Sequence, residues 1–164
     1  AQTPTDTAAV RSGFVARANE YAAMRSKIEA GLPKLSGDAT PEQIAAHKAA
    51  LLKGVRDARK DAKHGYVITP EATALIRQII TTEYQGTDLA ELKKTMIEAE
   101  TAGVPVKVNA EYPESKEKVE MPPKLLMVLP ELPDILRYRF VGKHMLIVDK
   151  ESSLIVDYAA DVIP

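Results

Sequence analysis

Residues 138–149, YRFVGKHMLIVD, decide the fold of the C-terminal half of this chain. They read as two short strands joined by a tight turn at Gly142-Lys143, because apolar side chains recur at alternate positions on both sides of that dipeptide. A further apolar run, LIVDY, follows at 154–158. We therefore predict an antiparallel β-meander with strands at 136–141, 144–149 and 154–158.

The predicted meander is apolar on both faces, since successive residues of a strand point to opposite sides. One face is expected to close the core with Tyr138, Phe140, Met145, Ile147, Leu154 and Val156. The other face carries Val141, Leu146, Val148 and Ile155. Arg137, Arg139 and Asp157 are expected to face water or a sheet edge. A sheet that is apolar on both faces needs a second cover, which we expect to be the helices or a partner, a second copy of the chain included.

The segment before the meander is less regular. Apolar and polar residues alternate from Val104 to Ala110, which predicts a strand with one wet face, and a short strand is allowed at 117–121. The run PPKLLMVLPELP at 122–133 holds four prolines, so it permits at most a turn or two of helix. Its leucines have two interpretations: a connector packed in the core, or an exposed ridge for a partner protein. That candidate partner ridge consists of Leu125, Leu126, Leu129 and Leu132.

Residues before Gly103 have the apolar spacing of helices. We predict four, with ends marked by Gly31, Gly65, Gly86 and Gly103. Predicted starts are TPEQ at 40–43, where Thr40 and Gln43 make a capping box, TPEA at 69–72, and Asp88 with Glu91. The buried stripes include Phe14, Ala18 and Tyr21 on the first helix, and Ile44, Leu51 and Val55 on the second.

The fold class is therefore α+β, with four N-terminal helices packed against a small antiparallel C-terminal β-meander. We expect residues 1–10 to be a flexible tail and residues 11–164 to be one domain. Within that domain, 11–103 is the helical part and 104–164 the β-rich part.

Composition limits the function. With 45% hydrophobic and 27% charged residues, the chain matches a globular protein, and no apolar run is long enough for a transmembrane segment. The absence of cysteine excludes thiol catalysis, iron–sulfur clusters and cysteine-based zinc sites. The start AQTPTDTAAV lacks Met and is typical of a chain whose signal peptide has been removed. We expect a periplasmic or secreted protein; the alternative is a chain trimmed artificially.

A run of cations on the second predicted helix is a candidate anion-binding face. Lys53, Arg56, Lys60 and Lys63 recur at three- and four-residue spacing, with Arg59 beside them. The other interpretation is a solvated face, since Asp57 and Asp61 lie among these cations. A net charge of −1 and 5% aromatic residues are atypical of nucleic-acid binding, so we expect no nucleic-acid partner.

Catalytic signatures are weak. Ser152 and Ser153 lie in a predicted hairpin turn rather than a nucleophile elbow, and the chain has no phosphate-binding glycine loop. His64 beside Gly65 suits a helix C-terminus better than a metal site with Asp57 and Asp61. We therefore predict no catalytic, cofactor-binding or metal-binding residue.

The function predicted from these residues is a non-enzymatic binding or protein-interaction module. The alternative is a cell-envelope hydrolase with a site at the helix–sheet junction. A pocket that gathers His47 or His64 with two carboxylates would favour the hydrolase.

The second half of the chain resembles a family of uncharacterised exported bacterial proteins. The resemblance is carried by VNAEYPE at 108–114 and by the pattern PP-x-LL, LP-x-LP, YRFVG and IVDY between residues 122 and 158. ALLKGVRDARKDAKHG at 50–65 and TPEATALIRQII at 69–80 are similar as well. The resemblance implies export and implies no particular activity.

Overall fold

The structure is a computed structural model that describes residues 4–164, with side chains from Thr7 onward. It confirms the α+β class: helices pack with a three-stranded antiparallel sheet of order β1-β2-β3. The elements are α1 (Pro4–Ala30), α2 (Pro41–Ala58), α3 (Pro70–Glu83), α4 (Gly86–Glu98), the four-residue α5 (Pro123–Leu126), β1 (Leu136–Val141), β2 (His144–Asp149) and β3 (Ile155–Ala159).

The meander forms at the predicted place. Tyr138 pairs with Ile147 across β1 and β2, and Gly142 takes the left-handed conformation that the tight turn requires (φ 60°). β3 starts one residue later than predicted, at Ile155, and its pairing with β2 has a register irregularity between Ile147 and Val148.

The main core lies between the first face of the sheet and the helices. All six residues predicted for that face are buried in it, and so are Phe14, Ala18 and Tyr21 of α1 and Leu51 and Val55 of α2. Ile44, predicted to be buried, is 51% exposed because the N-terminal part of α2 extends beyond the core.

The second face of the sheet is covered by residues 104–112. Our expectation that helices or a partner would cover it was wrong. Val104, Val106, Ala110 and Tyr112 form a separate core with the apolar residues of that face. The segment is held by hydrogen bonds from the Asn109 and Tyr112 amides to the carbonyls of Ile155 and Ser153.

The strand predicted at 104–110 does not form. Pro105 has no N–H for a ladder, and Asn109 takes a left-handed conformation (φ 68°), which breaks the extended chain. The segment at 117–121 contributes a single bridge, between Val119 and Phe140.

Helix boundaries differ from prediction at several ends. α1 starts at Pro4, so the predicted tail 1–10 is helical from there on; residues 1–3 lie outside the described part of the chain. Thr40 and Thr69 cap α2 and α3 as predicted. Asp88 does not cap α4, which starts at Gly86 after Gln85.

Three of the predicted helix-end glycines also fall away from the ends. α2 stops at Ala58, well before Gly65, and α4 stops at Glu98, before Gly103. Gly86, predicted to end the third helix, is instead the first residue of α4. Gly65 (φ 91°) instead shapes a turn that lies against β3.

The proline-broken run is mainly a packed connector. Leu125 and Leu129 are buried in the main core, Leu132 is half-buried, and Leu126 is exposed. The four leucines therefore do not form the exposed partner ridge considered above, because Leu125 of the short helix α5 and Leu129 after it are buried in the core.

Adjacent leucines of α5 give a direct test of this packing. Leu125 is 0% exposed and Leu126 is 55% exposed. Leu125→Ala should lower the free energy of unfolding by about 2–5 kcal/mol, since it leaves a cavity. Leu126→Ala should leave it nearly unchanged. Urea unfolding of both variants measures the difference; equal losses would contradict the described packing.

Candidate functional site

A cleft of about 740 Å³ lies between the end of α1, the α1–α2 connection, α2 and the β2–β3 turn. That volume lies in the range of about 300–1,000 Å³ typical of small-molecule sites. Its apolar lining consists of Leu32, Leu35, Ile44 and Leu51, with Ala30. Its polar lining consists of Ser26, Glu29, Lys34, His47, Lys48 and Glu151.

The cleft exists because the first turns of α2 lie outside the core. The capping box of Thr40 and Gln43 starts α2 away from the core, so the first turns of α2 have little to pack against. Leu35 and Ile44 consequently remain 42% and 51% exposed within the cleft. An apolar molecule that covered them would gain the free energy of removing that surface from water.

A buried charge cluster adjoins the inner end of the cleft. Arg25 is 4% exposed, and its Nε donates to Asp149 Oδ2 at 3.0 Å. Its other nitrogens donate to Glu151 Oε2 at 2.6 Å and to Glu29. The hydroxyl of Tyr21 donates to the same Asp149 oxygen at 2.8 Å.

The second oxygen of Asp149 is also occupied. It accepts hydrogen bonds from the backbone amides of Glu151 and Ser152, at 3.0 and 3.1 Å. The fully buried carboxylate therefore joins α1 to the turn between β2 and β3, and that turn carries Glu151 into the cleft.

Burial and the neighbouring carboxylates shift the pKa of Arg25 in opposite directions, and burial and Asp149 shift the pKa of Tyr21 in the same direction. Burial lowers the pKa of Arg25, but the carboxylates of Asp149, Glu151 and Glu29 more than offset it, so the pKa is raised overall. Burial is the main cause of a raised pKa for Tyr21, and the adjacent Asp149 carboxylate raises it further. Arg25 is thus held as a cation and Tyr21 as a neutral phenol.

Most charged groups of the cleft are already paired. Glu29 and Glu151 bind Arg25, and Lys48 lies 2.5 Å from Glu114 and 3.7 Å from Glu111. His47 Nε2 is 3.8 Å from Glu29 Oε1, beyond hydrogen-bond distance. Lys34 forms no ion pair or hydrogen bond with any described residue.

The candidate anion-binding face is not assembled as predicted. Since α2 ends at Ala58, Lys60 and Lys63 lie beyond the helix. Lys53 is exposed and pairs with Asp57 at 2.9 Å.

Its two arginines have structural partners instead. Arg56 Nε donates to the Asn109 carbonyl at 2.9 Å, and Arg59 donates to the Asn109 side chain at 2.8 Å and to the Val156 carbonyl at 2.9 Å. Burial lowers the pKa of Arg59. These arginines hold the 104–112 segment against the sheet.

Asp157 lies on the edge strand β3, one of the two predicted alternatives, but it is buried and does not face water. Its carboxylate accepts hydrogen bonds from the amides of Gly65, Val67 and Ile68. His64 lies 3.1 Å from the same carboxylate and stacks on Tyr158. His64 therefore lies outside α2, away from the helix face that a site with Asp57 and Asp61 would need.

The buried cluster was not predicted, although the sequence holds a signal for it. Arg25 lies four residues after Tyr21, on the stripe that Phe14 and Ala18 define, and Asp149 ends an apolar strand. A charge at a buried position is rare unless it is paired. Arg25 and Asp149 both lie at positions where the pattern predicts burial, so the sequence could have indicated that they form an ion pair.

No protein-family model, curated protein or solved structure matches this chain. Within residues 4–164, none of the helices combines the length and the apolar character needed to cross a bilayer.

Replacing Asp149 tests the buried cluster. Asp149→Asn removes the anion from a buried pair, which typically costs about 3–5 kcal/mol of unfolding free energy. We expect the lower end of that range, because Glu29 and Glu151 still bind Arg25. The matched control, Asp57→Asn, breaks an exposed pair and should change stability little. Similar losses in both variants, measured by urea unfolding, would refute the assigned role.

Tyr21 should make the fold sensitive to alkali. An unfolded tyrosine has a pKa of about 10, and folding raises that of Tyr21. The stability it contributes is therefore fully present below about pH 10 and is lost as the pH rises above it. Above pH 10, the free energy of unfolding should fall less steeply in Tyr21→Phe than in the wild type, by up to about 1.4 kcal/mol per pH unit. Parallel stability curves for wild type and variant between pH 9 and 11 would contradict this.

Proposed function

We propose that this protein is an exported, non-enzymatic binding module that holds a small amphipathic molecule in the cleft between α1 and α2. The observation that carries the proposal is the pairing of exposed Leu35 and Ile44 with Lys34, a cation without a partner among the described residues, in one cleft. Export is supported by the resemblance of the second half of the chain to exported proteins.

The charges of the cleft favour a ligand with a negative end. The carboxylates of Glu29 and Glu151 are neutralised by Arg25, and the ammonium group of Lys48 by Glu111 and Glu114. Lys34 alone among the charged lining residues has no described counterion. An apolar body against Leu35 and Ile44 with an acidic group at Lys34 would satisfy both features.

The cleft supports binding better than the surfaces first considered. The second face of the sheet, on which a homodimer was one of the alternatives considered, is covered by residues 104–112 of the same chain. Leu125 and Leu129 of the proposed ridge are in the core. The proposed ligand is therefore a small molecule rather than a protein surface.

Binding of 1-anilinonaphthalene-8-sulfonate, an apolar dye with an anionic end, tests the cleft. Ile44→Asp should weaken binding by about ten- to a hundredfold, the equivalent of losing one buried isoleucine contact. Ile97→Asp is the matched control, because Ile97 is an isoleucine of α4, 83% exposed and outside the cleft. Fluorescence titration measures both.

Lys34→Gln tests the charge requirement separately. It should weaken binding of the anionic dye and leave binding of an uncharged naphthalene analogue unchanged. Equal dye affinity in wild type, Ile44→Asp and Lys34→Gln would reject the cleft as the binding site.

A hydrolase in the same cleft is the second candidate, because Ser26, His47 and two carboxylates line it. Nucleophilic catalysis needs a hydrogen bond between nucleophile and base, and Ser26 forms none within residues 4–164. Covalent labelling by a fluorophosphonate that disappears in both Ser26→Ala and His47→Ala would favour the hydrolase. An unlabelled wild-type protein would leave binding as the function of the cleft.

A further inference from the structure

A second, smaller pocket lies on the opposite side of the β2–β3 turn and is lined by cations. It has a volume of about 40 Å³ and gathers Arg137 and Arg139 of β1, Lys118 of the preceding loop and Lys150 of the turn. Tyr112 and Ser153 complete its polar lining. Arg137 and Arg139, predicted to face water or an edge, lie on the edge strand β1 and are half-buried.

The sheet itself brings the two guanidinium groups together. Arg137 and Arg139 are two residues apart on one strand, so they share a face with Val141. Arg137 pairs with Val148 and Arg139 with Leu146 of β2, which are both apolar. The strand opposite therefore supplies no carboxylate to either arginine.

Backbone carbonyls orient the arginines without neutralising them. Arg137 donates to the carbonyls of Asp134 and Leu136, at 2.6 and 2.8 Å. Arg139 donates to the backbone carbonyl of its neighbour Tyr138 at 3.4 Å. A guanidinium has five N–H donors, so both keep donors for a further acceptor.

None of the four cations forms an ion pair with a carboxylate in the described part of the chain. Burial lowers the pKa of Arg139, Glu120 and Tyr112 partly oppose it, and the charge of Arg137 lowers it further. Arg25 is the contrast within the same protein, since it is buried against three carboxylates. Two half-buried guanidinium groups without a counterion are costly unless an anion joins them, and the exposed Lys118 and Lys150 add positive charge beside them.

Asp149 also lines this pocket but does not supply that anion. Both of its oxygens are occupied by Tyr21, Arg25 and the amides of Glu151 and Ser152. The Ser153 hydroxyl, in contrast, makes no hydrogen bond with a described residue, so it can donate into the pocket.

We propose that this pocket binds a tetrahedral oxoanion, a phosphate group held by Arg137, Arg139, Lys118 and Lys150. Planar guanidinium forks match two oxygens of a phosphate, and ammonium groups add charge without strict geometry. The volume exceeds what one water molecule needs and suits a single small anion. The site is separate from the α1–α2 cleft, and neither proposal depends on the other.

Calorimetry with inorganic phosphate, at constant ionic strength set by chloride, tests the proposal on the full chain. Lys118→Gln/Lys150→Gln removes two exposed cations of the pocket, and Lys27→Gln/Lys60→Gln removes two exposed cations elsewhere, so both variants have the same net charge. The pocket variant should bind phosphate at least about tenfold more weakly than wild type. The control variant should bind within about twofold of wild type.

Arg139→Lys adds a geometric test, because it keeps the charge and loses the fork; we expect about tenfold weaker binding. A parallel titration with glycerol 3-phosphate distinguishes the source of the group. Binding of inorganic phosphate would support a free anion, and binding of the monoester alone would support a phosphate carried on a larger molecule. If neither binds above the chloride background, or if both double variants weaken binding equally, the proposal is overturned.

Discussion

The buried carboxylate of Asp149 is the constraint on which the architecture of both sites depends. It lies at the end of β2, is fully buried, and accepts hydrogen bonds from Tyr21 and Arg25 of α1. The amides of Glu151 and Ser152 bind its other oxygen, so the β2–β3 turn is folded around it. Removing a charge pair from water is expensive, and only this number of partners makes it tolerable.

That turn places different residues on its two sides. Glu151 enters the α1–α2 cleft, whereas Lys150 and Ser153 line the cationic pocket. A change at Asp149 would therefore disturb both surfaces together. The two sites differ in how their charges are balanced: in the cleft the carboxylates are neutralised by Arg25, and in the pocket the cations have no described counterion.

A second polar arrangement closes the other face of the sheet. Arg56 and Arg59 bind Asn109, whose left-handed backbone turns the 104–112 segment across Leu146, Val148 and Ile155. Arg59 also lies over the ring of Tyr21, at 5.3 Å from its centroid. Arg56 and Arg59, which the sequence predicts on a surface stripe of cations, thus hold the irregular 104–112 segment in place. Because that segment covers the sheet, the protein does not need a partner there.

Local chemistry alone determined several features of this protein. The Thr-Pro starts of α2 and α3, the tight turn at Gly142 and the face of the meander that enters the core all follow from side-chain period and turn preferences. These signals act over a few residues, so the sequence shows them directly. The resemblance to exported proteins and the expected export rest on the sequence too.

Only the tertiary structure decided which polar residues meet. Arg25 and Asp149 are 124 residues apart, and Arg59 and Asn109 are 50 apart. Asp157 looks like a surface residue until the turn at Gly65 packs against it. Lys118 joins Arg139 only because a loop crosses the sheet edge at Val119. The cost of burying a charge depends on partners brought from distant segments, and periodicity carries no information about those partners.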